Sequence, residues 1–357
     1  MSGGRPAATG GSGLILAVET SCDETAVALV ERGRQIRASV VASQVALHAA
    51  TGGIVPELAA REHLRWIVPA FEQVRADAGD AWARIEAVAV TEGPGLAGSL
   101  LVGINFAKAL ACVRGWPIVP VNHLEGHIYA AWLLDPGEPE RPPPPFPLVA
   151  LVVSGGHTML VAMRGHLDER LLGQTVDDAA GEAFDKVGRL LGLPYPGGPA
   201  VMHAAADARR RDRVFPRAWM GESLDFSFSG LKTAARREIE RLAGSDGALP
   251  PAEVAELAFA FQASVVDVLA VKTLRAAEET GARAIVLGGG VAANAPLRER
   301  MARGAERLGL PLIVPRPGLC TDNAAMIGAA GWYRYAAGAR AGLDLDARPS
   351  LRLGAPR

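Results

Sequence analysis

The sequence predicts an α/β protein of two domains with a cleft between them, and three observations support this prediction. Apolar, strand-like segments alternate with segments of helical periodicity in both halves of the 357-residue chain. Two strand–turn–strand units, "LILAVETSCDETAVALV" and "LVALVVSGGHTMLVAM", share one plan and suggest an internal duplication. A proline-rich stretch, "DPGEPERPPPPFP", separates the halves and favours neither helix nor central strand.

The first half is predicted to alternate strands with helices and to end in a helix that carries two histidines. The predicted strands are 14–18, 26–31, 35–43, 85–90 and 118–121. The predicted helices are 57–76, 96–114 and one in "NHLEGHIYAAWLL". Asn122 stands at the start of that last helix, where its short polar side chain suits an N-cap.

The second half repeats the alternation and is richer in helix. After its strand–turn–strand unit, helices are predicted at 178–191, 230–242, 252–279, 293–308 and 322–336. The strands "AIVLGGG" and "PLIVP" stand among them. The predicted organisation is a flexible N-terminus at 1–13, a first α/β domain with the histidine helix at 14–135, a linker or loop at 136–147 and a second α/β domain at 148–345. In this prediction the last helix, near 322–340, could pack either on the second domain or back on the first.

Composition excludes several classes of protein. With 49% apolar and 21% charged residues the chain is neither disordered nor fibrous. The 37 basic and 38 acidic residues leave a formal charge of -1, so a polyanionic partner must be bound by local basic patches. Three widely spaced cysteines, Cys22, Cys112 and Cys320, predict neither a disulfide framework nor a cysteine zinc site.

The chain is expected to be cytoplasmic, without a membrane segment. The apolar run 14–18 is too short for the core of a signal peptide. The most apolar long stretch, 254–271, contains Glu256, Gln262 and Asp267, so it is predicted to be a buried helix.

His123 and His127 lie four residues apart, which places them on one face of a helix, about 40° apart. They could share one metal ion, or each could be satisfied by ordinary hydrogen bonds. Glu125 points to roughly the opposite face from His123, so it cannot serve the metal-bound water as the glutamate of a protease HExxH motif does.

Two histidines leave a metal ion under-coordinated, and a third ligand is expected to be an oxygen. The candidate is Asp322 in "CTDNAAMIGAAG", where a carboxylate could also cap the following helix. The two roles can coexist. A site of two histidines and one carboxylate with open positions suits Fe(II) or Zn(II).

Three polar or glycine-rich turns follow apolar strands, "SCDET" at 21–25, "SGGHT" at 154–158 and "GGGVAAN" at 288–294. Glycine lets backbone N–H groups approach a phosphate or nucleoside closely. None of the three matches a P-loop or a GxGxxG motif. Together they indicate a nucleotide bound between the domains.

Two further charge patterns have both an ordinary and a functional interpretation. Asp177, Asp178, Glu182 and Asp185 precede a sharp turn, "PYPGGP", and one of these carboxylates could accept hydrogen bonds from ribose hydroxyls instead of only capping the helix. Basic clusters at 209–217, 232–241 and 298–307 could be a solvated face or could contact the phosphates of a large polyanion.

Taken together, the motifs resemble those of one family. "ETSCDETAVALV", "HLEGH", "LVVSGGHT", "TVDDAAGEAFDKVGRLLGLPYPGGP", "FSFSGLKTA", "GGGVAAN" and "CTDNAAMIG" are similar to the motifs of the bacterial TsaD family, the tRNA adenosine threonylcarbamoyltransferases. The resemblance covers roughly residues 14 to 340. It implies a fold of two duplicated α/β domains around a nucleotide cleft, in the superfamily of actin, sugar kinases and heat-shock chaperones.

The resemblance also implies a reaction and its binding residues. The threonylcarbamoyl group would pass from threonylcarbamoyl-AMP to N6 of adenosine 37 in tRNAs that read ANN codons, and AMP would leave. The family's ligands for one divalent metal ion, Fe(II) or alternatively Zn(II), map onto His123, His127 and Asp322. Its adenylate-binding positions map onto the following residues: Val152, Val153, Ser154, Gly155, Gly156, Asp185, Gly198 and Asn294. Met202 stands where many members have an aspartate.

Asp23 and Glu24 are the candidates for positioning the attacking amine or for taking its proton, and the sequence does not choose between them. The implied partners are tRNA, a paralogous TsaB-like subunit, a TsaE-like ATPase and a separate synthase that makes the adenylate. Two other functions are weighed against the transferase. One is a non-catalytic ATP-binding scaffold of the same superfamily, and the other is a metallopeptidase, which the placement of Glu125 disfavours.

Overall fold

A computed structural model of the chain describes residues 11–244 and 249–354. The strands in this part of the chain are β1 (Leu14–Glu19), β2 (Glu24–Glu31), β3 (Gln35–Ser43), β4 (Ile85–Gly93), β5 (Ile118–Asn122), β6 (Leu148–Val153), β7 (Thr158–Gly165), β8 (Asp168–Gln174), β9 (Ala284–Gly288) and β10 (Leu312–Ile313).

The α-helices of the same ranges follow in chain order: α1 (Val45–Thr51), α2 (Pro56–Ala78), α3 (Ala97–Arg114), α4 (His123–Tyr129), α5 (Ala180–Leu190), α6 (Gly197–Ala206), α7 (Ser229–Leu242), α8 (Pro251–Glu279), α9 (Ala295–Arg307), α10 (Pro317–Cys320) and α11 (Ala324–Ala336). Short 3-10 helices occupy Gly79–Arg84, Ala130–Trp132 and Gly290–Ala293.

The predicted strands and helices are confirmed within a few residues, with two instructive differences. The histidine helix α4 ends at Tyr129 and tightens into a 3-10 turn, so it is shorter than predicted. The helix predicted from residue 293 begins at Ala295, because Asn294 is its N-cap and accepts a hydrogen bond from the Leu297 N–H at 3.0 Å.

The strands form two five-stranded mixed sheets with the same plan. The first has the order β3-β2-β1-β4-β5, with β1 antiparallel to β2 and parallel to β4. The second, read from its other edge, has the order β8-β7-β6-β9-β10, with β6 antiparallel to β7 and parallel to β9. This repetition confirms the internal duplication and the predicted α/β fold class.

The chain divides into two compact units. Among the described residues, unit 1 comprises 11–144, then Gly165–Glu169, then 315–354. Unit 2 comprises Pro145–Arg164 and Arg170–Val314. The first division falls inside the stretch predicted as a linker. The second falls at Val314, so the last helix belongs to unit 1, a placement that the sequence prediction allowed.

The core of unit 1 has helices on both faces of its sheet. Alternate residues of β1, among them Leu14 and Leu16, pack in one cluster with Ile67 of α2 and Ile104 of α3. Helix α11 packs against β1, β2, β4 and β5, and it is buried without a break from Ala324 to Tyr333. A helix that is buried this completely needs a sheet to cover it, which explains why the end of the chain joins unit 1.

Unit 2 is built around the fully buried strands β6 and β9 and the long helix α8. Phe261 of α8 meets Phe184 of α5 edge to face, with ring centroids 5.3 Å apart. Such aromatic pairs stabilise a core beyond the area that they bury.

Among the described residues, α3 and α8 have the length and hydropathy of a membrane span. In α8, 72% of the apolar window is buried inside the protein, and α3 packs Leu100 and Ile104 into the core of unit 1. Core helices of soluble proteins commonly have this composition, so the two helices are weak evidence for a membrane segment.

Of the N-terminal segment predicted to be flexible, residues 1–10 lie outside the described part of the chain. Residues 11–13 are described, and two of them are bonded to the strand β4 region. The Ser12 hydroxyl donates to the carbonyl of Arg84, and the Gly13 N–H donates to Glu86 Oε1 at 2.8 Å. The described start of the chain is therefore attached to unit 1.

Candidate metal centre and nucleotide-binding turns

The two histidines are held by a short, well-capped helix in unit 1. The Asn122 side chain accepts a hydrogen bond from the Leu124 N–H at 2.9 Å, which confirms it as the N-cap of α4. The rings of His123 and His127 lie 4.7 Å apart between centroids. His123 is 6% exposed and His127 is 0% exposed. The predicted common face therefore points into the protein.

Close packing of two helices brings the third ligand to the pair. At Gly126 of α4 an added Cβ would lie 2.8 Å from Ile327 Cδ1 of α11, so the absence of a side chain allows the helices to approach. Asp322 precedes α11, and its Oδ1 lies 3.1 Å from His127 Nε2 and 3.5 Å from His123 Nε2.

The capping role considered for Asp322 is wrong. Asn323 is the N-cap of α11, and its side chain accepts a hydrogen bond from the Met326 N–H at 2.9 Å. The helix start is thus satisfied by the neighbouring residue, and the Asp322 carboxylate lies beside the histidines.

The residues present fit a metal ion. One ligand atom from each of His123, His127 and Asp322 lies within 4.8 Å of the other two. Within the described residues, Nδ1 of the fully buried His127 has no hydrogen-bond partner, and its Nε2 lies 3.1 Å from Asp322 Oδ1 without the geometry of a hydrogen bond. Because buried polar atoms are rarely left unpaired, a cation between these side chains explains the arrangement. Two imidazoles and one carboxylate suit Zn(II) and Fe(II).

Glu125 faces away from this group, as its helical position predicted. Its fully buried carboxylate is paired with the guanidinium of Arg334, whose Nε donates to Oε2 at 2.7 Å. A carboxylate fixed in this way cannot act on water at the metal position. The glutamate that a peptidase mechanism needs is therefore occupied elsewhere.

The electrostatics of the metal-free site favour a proton on His123. Burial lowers the pKa of its imidazole, but the nearby carboxylates of Asp322 and Glu19 outweigh burial and raise it to about 9. A metal ion competes with that proton, since a metal ligand must be the neutral imidazole.

Metal affinity is therefore expected to rise with pH. Between pH 7 and pH 9 the apparent association constant should increase about tenfold per pH unit, because one proton leaves His123 on binding. Because the His123 pKa is higher in the folded protein, protonated His123 stabilises the metal-free fold. This contribution to the free energy of unfolding is complete below about pH 6.5 and is lost as pH rises through about 9. Competition against a chromophoric chelator at several pH values measures the slope. His203→Ala, which removes a histidine outside the centre, is the control and should show the same slope. A metal affinity that does not change with pH in either protein would contradict the assignment of His123 as a metal ligand.

Asp23 and Glu24 lie where β1 turns into β2, also in unit 1. Burial raises the pKa of Asp23, and the charge of Asp322 raises it further. Burial raises the pKa of Glu24 to about 8. The Ser43 hydroxyl donates to Glu24 Oε1 at 2.8 Å, while Oε2 is buried without a described partner. A carboxyl group that titrates near neutral pH has the property expected of a general base.

The predicted adenylate-binding residues all lie in unit 2, and the structure brings several of them together. Val152 and Val153 end β6, and Ser154, Gly155 and Gly156 lie in the turn that follows it. Gly289 has a φ of +87°, and an added Cβ there would lie 2.3 Å from the carbonyl oxygen of Val153. The backbone of "GGGVAAN" therefore lies against the end of β6, directly before the turn "SGGHT", and only glycine permits this approach.

The predicted polar residues of unit 2 also have structural partners. Asp185 accepts a hydrogen bond from the Gly197 N–H at 2.7 Å, and the N–H of Gly198 also faces it. Asn294 caps α9 and donates to Gln262 Oε1 at 2.9 Å. Met202 lies beside this cap, since the Ala295 N–H approaches its sulfur at 3.5 Å.

The other acids of the "TVDDAAGEAFDK" segment are largely structural. Asp177 accepts hydrogen bonds from the backbone N–H of Phe228 at 2.8 Å and from the Ser227 hydroxyl. Asp178 pairs with both Lys186 and Lys232, each at 2.7 Å. These contacts join the start of α5 to α7 and leave Asp185 as the acid nearest to the "PGGP" turn.

The duplicated α/β units and the two-histidine, one-carboxylate group define a class: a two-unit α/β protein with a candidate metal centre. A model of the TsaD family, described as tRNA N6-adenosine threonylcarbamoyltransferase, matches residues 35–329. The chain belongs to this family.

Relatives support the same assignment. The tRNA N6-adenosine threonylcarbamoyltransferase of Thermomicrobium roseum is 55% identical, over 95% of this chain and 97% of the relative. That of Moorella thermoacetica is 52% identical over the same shares. Among solved structures, HypF of T. kodakarensis superposes with a TM-score of 0.62 at 14% identity, over 92% of this chain and 48% of HypF. This last similarity concerns the fold alone.

Sequence reasoning missed two members of the metal centre's surroundings, Glu19 and Thr91. The Thr91 hydroxyl donates to Glu19 Oε2 at 2.7 Å, and Glu19 in turn contacts His123. A signal was present in the sequence, because Glu19 is the charged residue that ends the otherwise apolar run "LILAVE".

Proposed function

We propose that this chain transfers the threonylcarbamoyl group of threonylcarbamoyl-AMP to N6 of adenosine 37 in tRNAs that read ANN codons, releasing AMP. The observation that carries the proposal is the cluster of two buried histidines, His123 and His127, with Asp322 in a member of the TsaD family. The two alternatives have no comparable support. The peptidase in particular would need Glu125 at the metal, and Glu125 is paired with Arg334.

The chemistry sets clear demands on the site. The exocyclic amine of adenine is a poor nucleophile, and AMP must leave with its negative charge stabilised. A metal ion held by His123, His127 and Asp322 would supply Lewis-acid stabilisation of phosphate or carbamoyl oxygens. We assign the metal as one divalent ion, Fe(II), with Zn(II) as the alternative.

The chain's own side chains supply proton transfer and binding. Glu24 is the preferred base, because its carboxyl titrates near pH 8 and one of its oxygens is not engaged by the described residues. Asp23, which is half-buried like Glu24, would position the amine. The turn at Val152–Gly156 would approach the adenylate through backbone N–H groups, with Asp185, Gly198 and Asn294 beside it.

The acceptor tRNA would be bound in part by surface charge, but the basic clusters of unit 2 are less available than their sequence suggests. Arg210 and Arg213 pair with Glu253, and Arg217 pairs with Asp267. Pairs of this kind reduce the positive charge that phosphates can use. The proposed assembly, in the cytoplasm, includes a TsaB-like paralogue and a TsaE-like ATPase, and these partners would supply further contacts.

Reconstitution tests the proposal directly. Purified protein, its proposed partners, unmodified tRNA with adenosine at position 37 and preformed threonylcarbamoyl-AMP are mixed, and the digested nucleosides are analysed by mass spectrometry. Threonylcarbamoyl-adenosine is expected only when the chain is present. Unmodified tRNA beside a working control enzyme would reject the transferase and favour the ATP-binding scaffold.

A further inference from the structure

Glu19 is a charged side chain at the end of a strand that is otherwise apolar. Every residue of β1, from Leu14 to Glu19, is 0% exposed. Burying a carboxylate costs several kcal/mol unless polar groups compensate for the lost water. A residue in this place therefore needs specific partners, and those partners indicate its role.

Three groups of unit 1 surround the Glu19 carboxylate. The Ser21 N–H donates to Oε1, and the Thr91 hydroxyl donates to Oε2 at 2.7 Å. The Nδ1 atom of His123 lies 3.0 Å from the same Oε2. Since Ser21 belongs to the turn after β1 and Thr91 to β4, two strands of the sheet fix the carboxylate from two directions.

This geometry selects one tautomer of His123. An ionised carboxylate can only accept hydrogen bonds, so Nδ1 must carry the hydrogen that lies between them. The other nitrogen, Nε2, then keeps its lone pair in the neutral ring. Nε2 is also the atom that lies 3.5 Å from Asp322 Oδ1, on the side of the candidate metal position.

The second histidine has no such support. Within the described residues, His127 Nδ1 has no hydrogen-bond partner, so the ring is oriented by packing and by Asp322 beside Nε2, not by a contact to Nδ1. Histidines that bind metals usually donate their other N–H to a carboxylate, a carbonyl or water, and this contact raises the basicity of the ligand. In this centre His123 makes such a contact, to Glu19, and His127 Nδ1 makes none with the described residues.

We propose that Glu19 is a positioning residue for the metal centre: it holds His123 in the Nδ1–H tautomer and directs Nε2 toward the metal, and Thr91 orients Glu19. The inference rests on the metal centre of the proposed function. It concerns metal affinity and not the identity of the reaction, so the two can fail separately.

The test measures metal affinity with zinc and with cobalt as a spectroscopic probe. Glu19→Gln is expected to weaken binding about 10- to 100-fold, the usual effect of losing such an outer contact. Thr91→Val should weaken it less, since Glu19 keeps its charge. In zinc-loaded wild type, long-range ¹H–¹⁵N spectra should show His123 protonated at Nδ1, and in Glu19→Gln that proton signal should move upfield. A role limited to packing would not change the tautomer signal.

Glu256→Gln is the matched control, because Glu256 is another buried carboxylate that accepts backbone N–H groups, in unit 2. It should leave the metal affinity unchanged. A folded Glu19→Gln protein whose affinity stays within about twofold of wild type would overturn the inference. If Glu19→Gln does not fold, Thr91→Val decides, and an unchanged affinity and tautomer signal there would overturn it equally. A wild-type protein that binds neither zinc nor cobalt also overturns the inference. If metal binding depends on Glu19 but the tRNA is not modified in the reconstituted assay, only the proposed reaction is rejected.

Discussion

Asp322→Ala is expected to reduce threonylcarbamoyl transfer by about 10³-fold or more, because losing a metal that stabilises transition-state charge costs several kcal/mol. The variant should also purify with little metal, because only two of the three ligands, the histidines, remain. Elemental analysis of the protein, together with nucleoside analysis of tRNA in the reconstituted assay, measures both effects.

This variant separates chemistry from folding well. Asn323, not Asp322, caps α11, so the helix start keeps its hydrogen bond to the Met326 N–H. The thermal midpoint of the metal-free protein should therefore change little. Asp346→Ala, at an exposed carboxylate of the same unit, is the control and should keep full activity. Normal transfer by a metal-depleted Asp322→Ala protein would remove the metal from the reaction.

Glu24→Gln is expected to lower the rate of transfer by about 10² to 10⁴-fold, the range in which general acid and base groups contribute. The wild-type rate should rise with pH through about 8, because burial raises the Glu24 pKa to that value and only the deprotonated carboxylate can accept a proton. In the variant this rise should disappear. Single-turnover rates from pH 6 to pH 9.5 measure the profile.

The fold should tolerate this substitution, since an amide resembles the protonated carboxyl that predominates below pH 8. Glu31→Gln, at the other end of β2, removes a carboxylate that pairs with Arg37 at the edge of the sheet, and it should leave the profile unchanged. If Glu24→Gln retains the pH-dependent rise, Asp23 becomes the candidate base.

Much of the fold could be predicted because its signals are local. The apolar runs that became β1, β2 and β6 are buried on both faces of their sheets, and such runs are visible in a sequence. The two strand–turn–strand units were recognisable as a duplication for the same reason. The end of α4 was not predictable to the residue, because the choice between an α and a 3-10 turn depends on packing around Trp132.

The sequence by itself determined the alternation of strands and helices, the duplication and the shared face of His123 and His127, because periodicity and i,i+4 spacing are properties of a short segment. Only the tertiary structure decided that α11 joins unit 1, that Asn323 takes the cap and leaves Asp322 beside the histidines, and that Glu19 contacts His123. The Glu19–His123 and Asp322–His127 contacts join residues 104 and 195 positions apart, and no local pattern specifies which distant side chains a packed core brings together.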